Sequence, residues 1–132
     1  MTGINYWAVL LAAVSAFALG GIWYSPVLFQ RSWQQASGLS DAQLKGRNPV
    51  LTFGGSLVLS LLAAFVFALF LGPHPSLSLG LGAGASAGLC WVAASFGINY
   101  LFERRGLVLF LINGGYHALQ FTLYGLILAL YH

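Results

Sequence analysis

The chain has 132 residues, of which 59% are hydrophobic and only 5% charged, with five Lys or Arg against two Asp or Glu. A soluble domain carries about 25% charged residues, so this composition excludes a water-covered surface and predicts a polytopic membrane protein of one domain, residues 1–132. The net charge of +3 comes from too few residues for a nucleic-acid surface, and the single cysteine, Cys90, excludes an internal disulfide and a cysteine-rich metal site.

A helix needs about 20 mostly apolar residues to cross the hydrocarbon core. Four segments reach that length, at about residues 4–24, 50–71, 77–102 and 107–131. The expected fold is all-α: four transmembrane helices in a bundle, with a short interfacial helical connection between the first two. Pro26 ends the first span. Gly72-Pro73-His74-Pro75 divides the second from the third, because this string cannot stay helical. Glu103-Arg104-Arg105-Gly106 divides the third from the fourth.

The first span carries Ala16-Phe17-Ala18, which resembles a signal-peptide cleavage site. No Lys or Arg precedes Ile4, however, so the segment is read as a retained span. Trp23, Tyr24 and Trp33 are placed in an inner aromatic belt, and Tyr6, Trp7 and Tyr131 in an outer one. In the connection 26–49, Phe29 and Trp33 stand four apart. This spacing predicts a short helix lying in the interface, followed by a second helix opened by a capping box at Ser40-Asp41-Ala42-Gln43.

In the second span, Thr52, Ser56 and Ser60 repeat every four residues and are read as bonding their own preceding turn. The third span is unusual. Thirteen of the eighteen residues from Gly80 to Gly97 are Gly, Ala, Ser or Cys, a composition that allows close helix approach. Gly80, Gly84 and Gly88 form a seam that Trp91, Ser95 and Asn99 are expected to continue, with this helix at the centre of the bundle. Cys90 is expected to be buried and inert.

In the fourth span, Asn113, His117, Gln120, Tyr124 and Tyr131 fall on one stripe, within about 60° of arc at 100° per residue. Polar side chains at bilayer depth face a partner helix or a water-filled cavity. Opposite them, Gly114, Ala118, Thr122, Gly125 and Ala129 form a small-residue seam. One face is expected to pack within the protomer and the other against a second copy, giving a homo-oligomer.

All five Lys and Arg lie in the connections 26–49 and 103–106. Cytoplasmic loops carry the basic excess, which predicts a multi-pass protein of the inner (cytoplasmic) membrane with both termini outside.

Gly20-Gly21-Ile22-Trp23-Tyr24-Ser25-Pro26, with Phe29, Trp33 and the Asn113-to-His117 step, resembles the signature of a small membrane-protein family. That family is the domain of unknown function 1761, and Trp23, Tyr24, Ser25 and Pro26 carry its most specific string. The resemblance covers nearly the whole chain. It implies a four-span, mainly bacterial membrane protein, and implies no activity.

His117 is the sharpest chemical candidate, because imidazole exchanges protons near neutral pH. The functional expectation is a small-solute or proton-linked passage lined by Asn113, His117, Gln120 and Tyr124, with Asn99 and Glu103 at its cytoplasmic mouth. The alternative is an accessory or structural subunit, or a homo-oligomeric scaffold, whose stripe is only a packing seam. No catalytic motif is present: no nucleophile elbow, phosphate loop, paired carboxylates or metal motif. No metal and no cofactor is expected. Haem commonly takes two axial ligands, so a haem site would require His117 from two copies. The expected partners are the lipid bilayer, a second copy, and a small solute or proton.

The orientation has a direct test. In a Cys90→Ser background, a cysteine replacing His74 is expected to react with a membrane-impermeant thiol reagent from outside intact cells. Labelling confined to inverted vesicles would reverse the topology.

Overall fold

The computed structural model describes residues 3–131. The described chain is helical, with the order α1 (Tyr6–Trp23), α2 (Gln30–Ser37), α3 (Asp41–Lys45), α4 (Val50–Leu71), α5 (Leu77–Glu103) and α6 (Leu107–Leu130). Three of these, α1, α4 and α5, are long and apolar enough to cross a membrane. The fourth expected span, α6, has the length at 24 residues, but its polar stripe dilutes its hydropathy.

Local chemistry sets most helix starts. The Asn5 carboxamide accepts from the backbone N–H of Trp7 and Ala8, at 3.1 and 3.2 Å. Asn48 does the same for Val50 and Leu51, and Ser76 for Leu79. Each cap satisfies N–H groups that have no partner in the first turn. The capping box at Ser40 and Gln43 forms as expected, with both of its bonds present. At the α5–α6 turn, Arg104 adopts a left-handed conformation (φ 60°) and ends α5.

The helices meet through small residues. Ala8, Ala12, Ala13 and Ala16 of α1 are buried, facing Ser60, Ala64 and Ala68 of α4. The closest approach is between α5 and α6, which run antiparallel. A Cβ added at Gly80 would run into the carbonyl oxygen of Gly125, and one at Gly84 into that of Phe121. At Gly88 it would lie 2.7 Å from the Ala118 Cα. Only hydrogen fits at these three positions.

Three sequence expectations change here. The centre of the bundle is α6 rather than α5: α6 packs on α1, α2, α4 and α5, and its Leu109, Ile112, Gln120, Tyr124, Ile127 and Leu128 are buried. The glycine seam also does not continue through Trp91, Ser95 and Asn99. Ala87–Ala93 is a π-helical segment, and it takes up one extra residue. The inward positions are therefore Gly80, Gly84, Gly88, Ala93 and Gly97, and Trp91, Ser95 and Asn99 turn outward. Ala93 meets Gly114, and Gly97 meets the Phe110 ring. Cys90 is exposed rather than buried, because two residues after the inward Gly88 it lies on the opposite face of the helix.

The two ends of the bundle are chemically distinct. The Arg105 guanidinium donates to the Ser37 carbonyl at 3.1 Å, which brings both basic connections to one end. At the other end the Asn5 amide donates to the Tyr131 carbonyl.

Gly84 gives a sharp test of the α5–α6 contact. Gly84→Ala is expected to cost about 1–3 kcal/mol, since α6 backbone must move to admit the methyl group. Gly82→Ala, where a Cβ meets nothing within 4 Å, is expected to change stability by less than about 0.5 kcal/mol. Unfolding in detergent by thermal or SDS titration measures both.

Candidate functional site

The stripe on α6 divides into two hydrogen-bonded groups. The first lies toward the end that carries the basic connections. The Tyr24 hydroxyl donates to Asn113 Oδ1 at 2.6 Å, and Asn113 Nδ2 donates to the Tyr100 hydroxyl at 2.7 Å. One carboxamide thus joins the end of α1 to α5. Beside it the Trp23 indole N–H donates to the Ile112 carbonyl at 2.9 Å, and the Tyr116 hydroxyl donates to the Ala16 carbonyl at 2.9 Å.

Two glycines make room for these rings. A Cβ at Gly20 would sit 3.1 Å from the Tyr116 hydroxyl, and one at Gly115 would sit 3.2 Å from the Trp23 ring. Trp23 and Tyr24 are therefore tied to α6 and half-buried, rather than standing free in an aromatic belt. Ser25 and Pro26 complete the turn: the Ser25 hydroxyl donates to the Ile22 carbonyl at 2.6 Å, and Pro26 is exposed where the helix has ended. Trp33 of α2 packs edge-on against Tyr24 at 5.8 Å.

The second group is a directed chain. His117 Nδ1 and Gln120 Oε1 are 2.5 Å apart, and Gln120 Nε2 donates to the Tyr124 hydroxyl at 2.7 Å. The Tyr124 hydroxyl lies 2.6 Å from Ser60 Oγ, which donates to the Ala13 carbonyl at 3.1 Å. Tyr124 is fully buried and Gln120 is 8% exposed. Ser60 thus reaches across to α1 and α6 instead of its own preceding turn, unlike Ser56, which bonds the Thr52 carbonyl.

The direction of the chain fixes a tautomer. Because the Gln120 NH₂ faces Tyr124, its oxygen faces His117, and an amide oxygen only accepts. The proton of a neutral His117 therefore sits on Nδ1, and Nε2 carries the lone pair. No hydrogen bond reaches Nε2 among the described residues, and every sealed side-chain N and O has a partner, so Nε2 opens to the bundle surface. The imidazole is held between the Phe96 ring, stacked at 4.9 Å, and the Tyr116 ring, edge-on at 5.0 Å.

The structure joins His117, Gln120 and Tyr124 in one hydrogen-bonded chain, places Asn113 in the other group, and leaves the remaining sequence-derived candidates apart. Asn99 is exposed on the outer face of α5. Glu103 is exposed and pairs with Arg105 at 3.3 Å. Tyr131 lies beyond the end of α6 with its side chain exposed. Sequence reasoning missed Ser60, Phe96, Tyr100 and Tyr116 as members of the cluster. Phe96 and Tyr100 share a face one turn apart, but the extra residue of the π-helical segment decides where that face points.

Among the described residues, no group of three His, Cys, Asp or Glu is placed to hold a metal ion. A family model described as a protein of unknown function, DUF1761, matches residues 7–129. No curated protein and no solved structure matches.

The buried hydroxyl of Tyr124 is the junction of the second group. Tyr124→Phe is expected to cost about 1–3 kcal/mol, because the buried Gln120 amide loses its acceptor. Ser56→Ala, which removes a bond within one exposed turn, is expected to cost less than about 0.5 kcal/mol. Equal losses in an SDS unfolding titration would refute the assignment.

Proposed function

This chain belongs to the DUF1761 family of proteins of unknown function, and we propose that it acts as a structural membrane subunit, a bundle of four spans with no catalytic or transport activity of its own. In this reading α6 is the fourth span. It lies in the bacterial cytoplasmic membrane with both termini outside and the connections 26–49 and 103–106 in the cytoplasm. No cofactor takes part.

One observation carries the reading: Asn113, Gln120 and Tyr124 of the polar stripe spend their hydrogen-bonding groups inside the protomer. Asn113 bonds the end of α1 and α5, and Gln120 bonds Tyr124, which in turn bonds Ser60 of α4. A span this polar is costly against lipid. Enclosed by α1, α4 and α5, its polar groups meet protein, and the hydrogen bonds hold the helices in one arrangement.

A second reading, the small-solute or proton-linked passage, draws support from the free lone pair on His117 Nε2. The chain behind it weighs against a proton wire. The Gln120 carboxamide has no titrating proton to pass on, and the chain ends on the backbone carbonyl of Ala13.

Reconstituted proteoliposomes separate the two. The structural reading expects wild-type vesicles to match empty ones in pH-dependent flux, and His117→Ala to lower stability by about 1 kcal/mol through the lost bond to Gln120. Flux in the wild type that His117→Ala abolishes, with the unfolding midpoint unchanged, would overturn it.

A further inference from the structure

Both faces of α6 are occupied within the protomer, the polar stripe by α1, α4 and α5 and the small-residue seam by α5. Neither is left for a second copy. The outward face of α5 carries a different set of groups. Trp91 is 70% exposed, Ile98 57% and Phe102 87%, and Ser95 and Asn99 are exposed beside them.

Trp91 stands out by its depth. It stands one residue past the centre of the 27-residue helix Leu77–Glu103, about 20 Å along it from either end. Exposed tryptophans collect at membrane interfaces, where the indole N–H reaches water or headgroups. At mid-span it reaches neither, and no described residue of the protomer accepts its proton. Asn99, two turns on, also has no partner for its carboxamide among the described residues. Ser95, between them, donates to the Trp91 carbonyl at 2.6 Å and keeps its oxygen lone pairs free. Beside these groups lies a shallow hollow lined by Trp91, Val92, Ser95, Phe96 and Asn99.

We infer that this face of α5 is where a second copy of the chain docks, the two α5 helices running parallel about a two-fold axis along the membrane normal. The argument for a second copy over any other occupant is self-complementarity. A carboxamide both donates and accepts, so two Asn99 side chains related by the axis satisfy each other. The same axis offers each Trp91 N–H the free lone pair of Ser95 in the other copy, one turn away, and each indole the hollow of the other copy. Copies in one membrane share one orientation, which makes the pairing parallel without further assumption. The inference does not depend on the structural-subunit reading, because a passage also accommodates a dimer.

Cross-linking in membranes tests the contact. In a Cys90→Ser background, Ser95→Cys is expected to give an oxidant-induced disulfide dimer, and Val58→Cys, on the exposed face of α4 (63% exposed), is not. Dimer affinity in liposomes, followed by energy transfer between labelled copies, is expected to fall about three- to thirtyfold with Asn99→Leu. Asn99→Gln is expected to retain it. The Asn99→Leu unfolding midpoint should hold, since Asn99 bonds nothing within the protomer. A monomeric wild type, cross-linking of Ser95→Cys no faster than that of Val58→Cys, or undiminished affinity in Asn99→Leu would each overturn the proposal. So would a dimer in which a different protein occupies this face.

Discussion

The contact between α5 and α6 is the constraint on which the rest of the bundle depends. At Gly80, Gly84 and Gly88 the two backbones approach so closely that a single methyl group meets carbonyl oxygens or Cα atoms. For apolar helices in lipid, whose tails are as apolar as their side chains, there is no hydrophobic gain from bringing the helices together, and association rests on packing and hydrogen bonds. The glycines supply the packing. They also bring α6 deep into the bundle, where Asn113 and Tyr124 reach partners on other helices.

The π-helical segment Ala87–Ala93 keeps that contact in register. An uninterrupted α-helix would turn the seam away from α6 after Gly88. The extra residue places Ala93 against Gly114 and Gly97 against Phe110. It also brings Phe96 to the His117 ring and Tyr100 to Asn113. One local irregularity therefore builds the α5 wall of the polar cluster and, on its far side, turns Trp91, Ser95 and Asn99 outward.

Much of this was legible in the sequence. The breaks at Pro26 and Gly72 and the capping box at Ser40 follow from local chemistry that acts within one turn, and the structure shows the same kind of chemistry at Asn5, Asn48 and Ser76. The stripe and the seam on α6 follow from its uninterrupted 3.6-residue period. What was not legible lies beyond the π-helical segment, because nothing in Ala87–Ala93 announces the added residue, and a regular period carried forward puts Asn99 on the wrong face. The role of Trp23 and Tyr24 was hidden for another reason. Their interfacial position is a property of composition, whereas their bonds to Ile112 and Asn113 are a property of tertiary structure.

Those last two bonds bear on how the bundle is assembled. Trp23 and Tyr24 stand 89 positions before their partners on α6, and Asn5 stands 126 before Tyr131. If α1 is a membrane span, as proposed, it is made and inserted long before the helix that receives its indole, its phenol and its capping amide. Until then these groups sit at the two faces of the bilayer, where water and headgroups serve them. Placing the longest-range bonds at the ends of α1, and leaving alanines along its middle, gives a helix that is tolerable alone and becomes fixed only when α6 arrives. The arrival of α6 is thereby the event that locks α1.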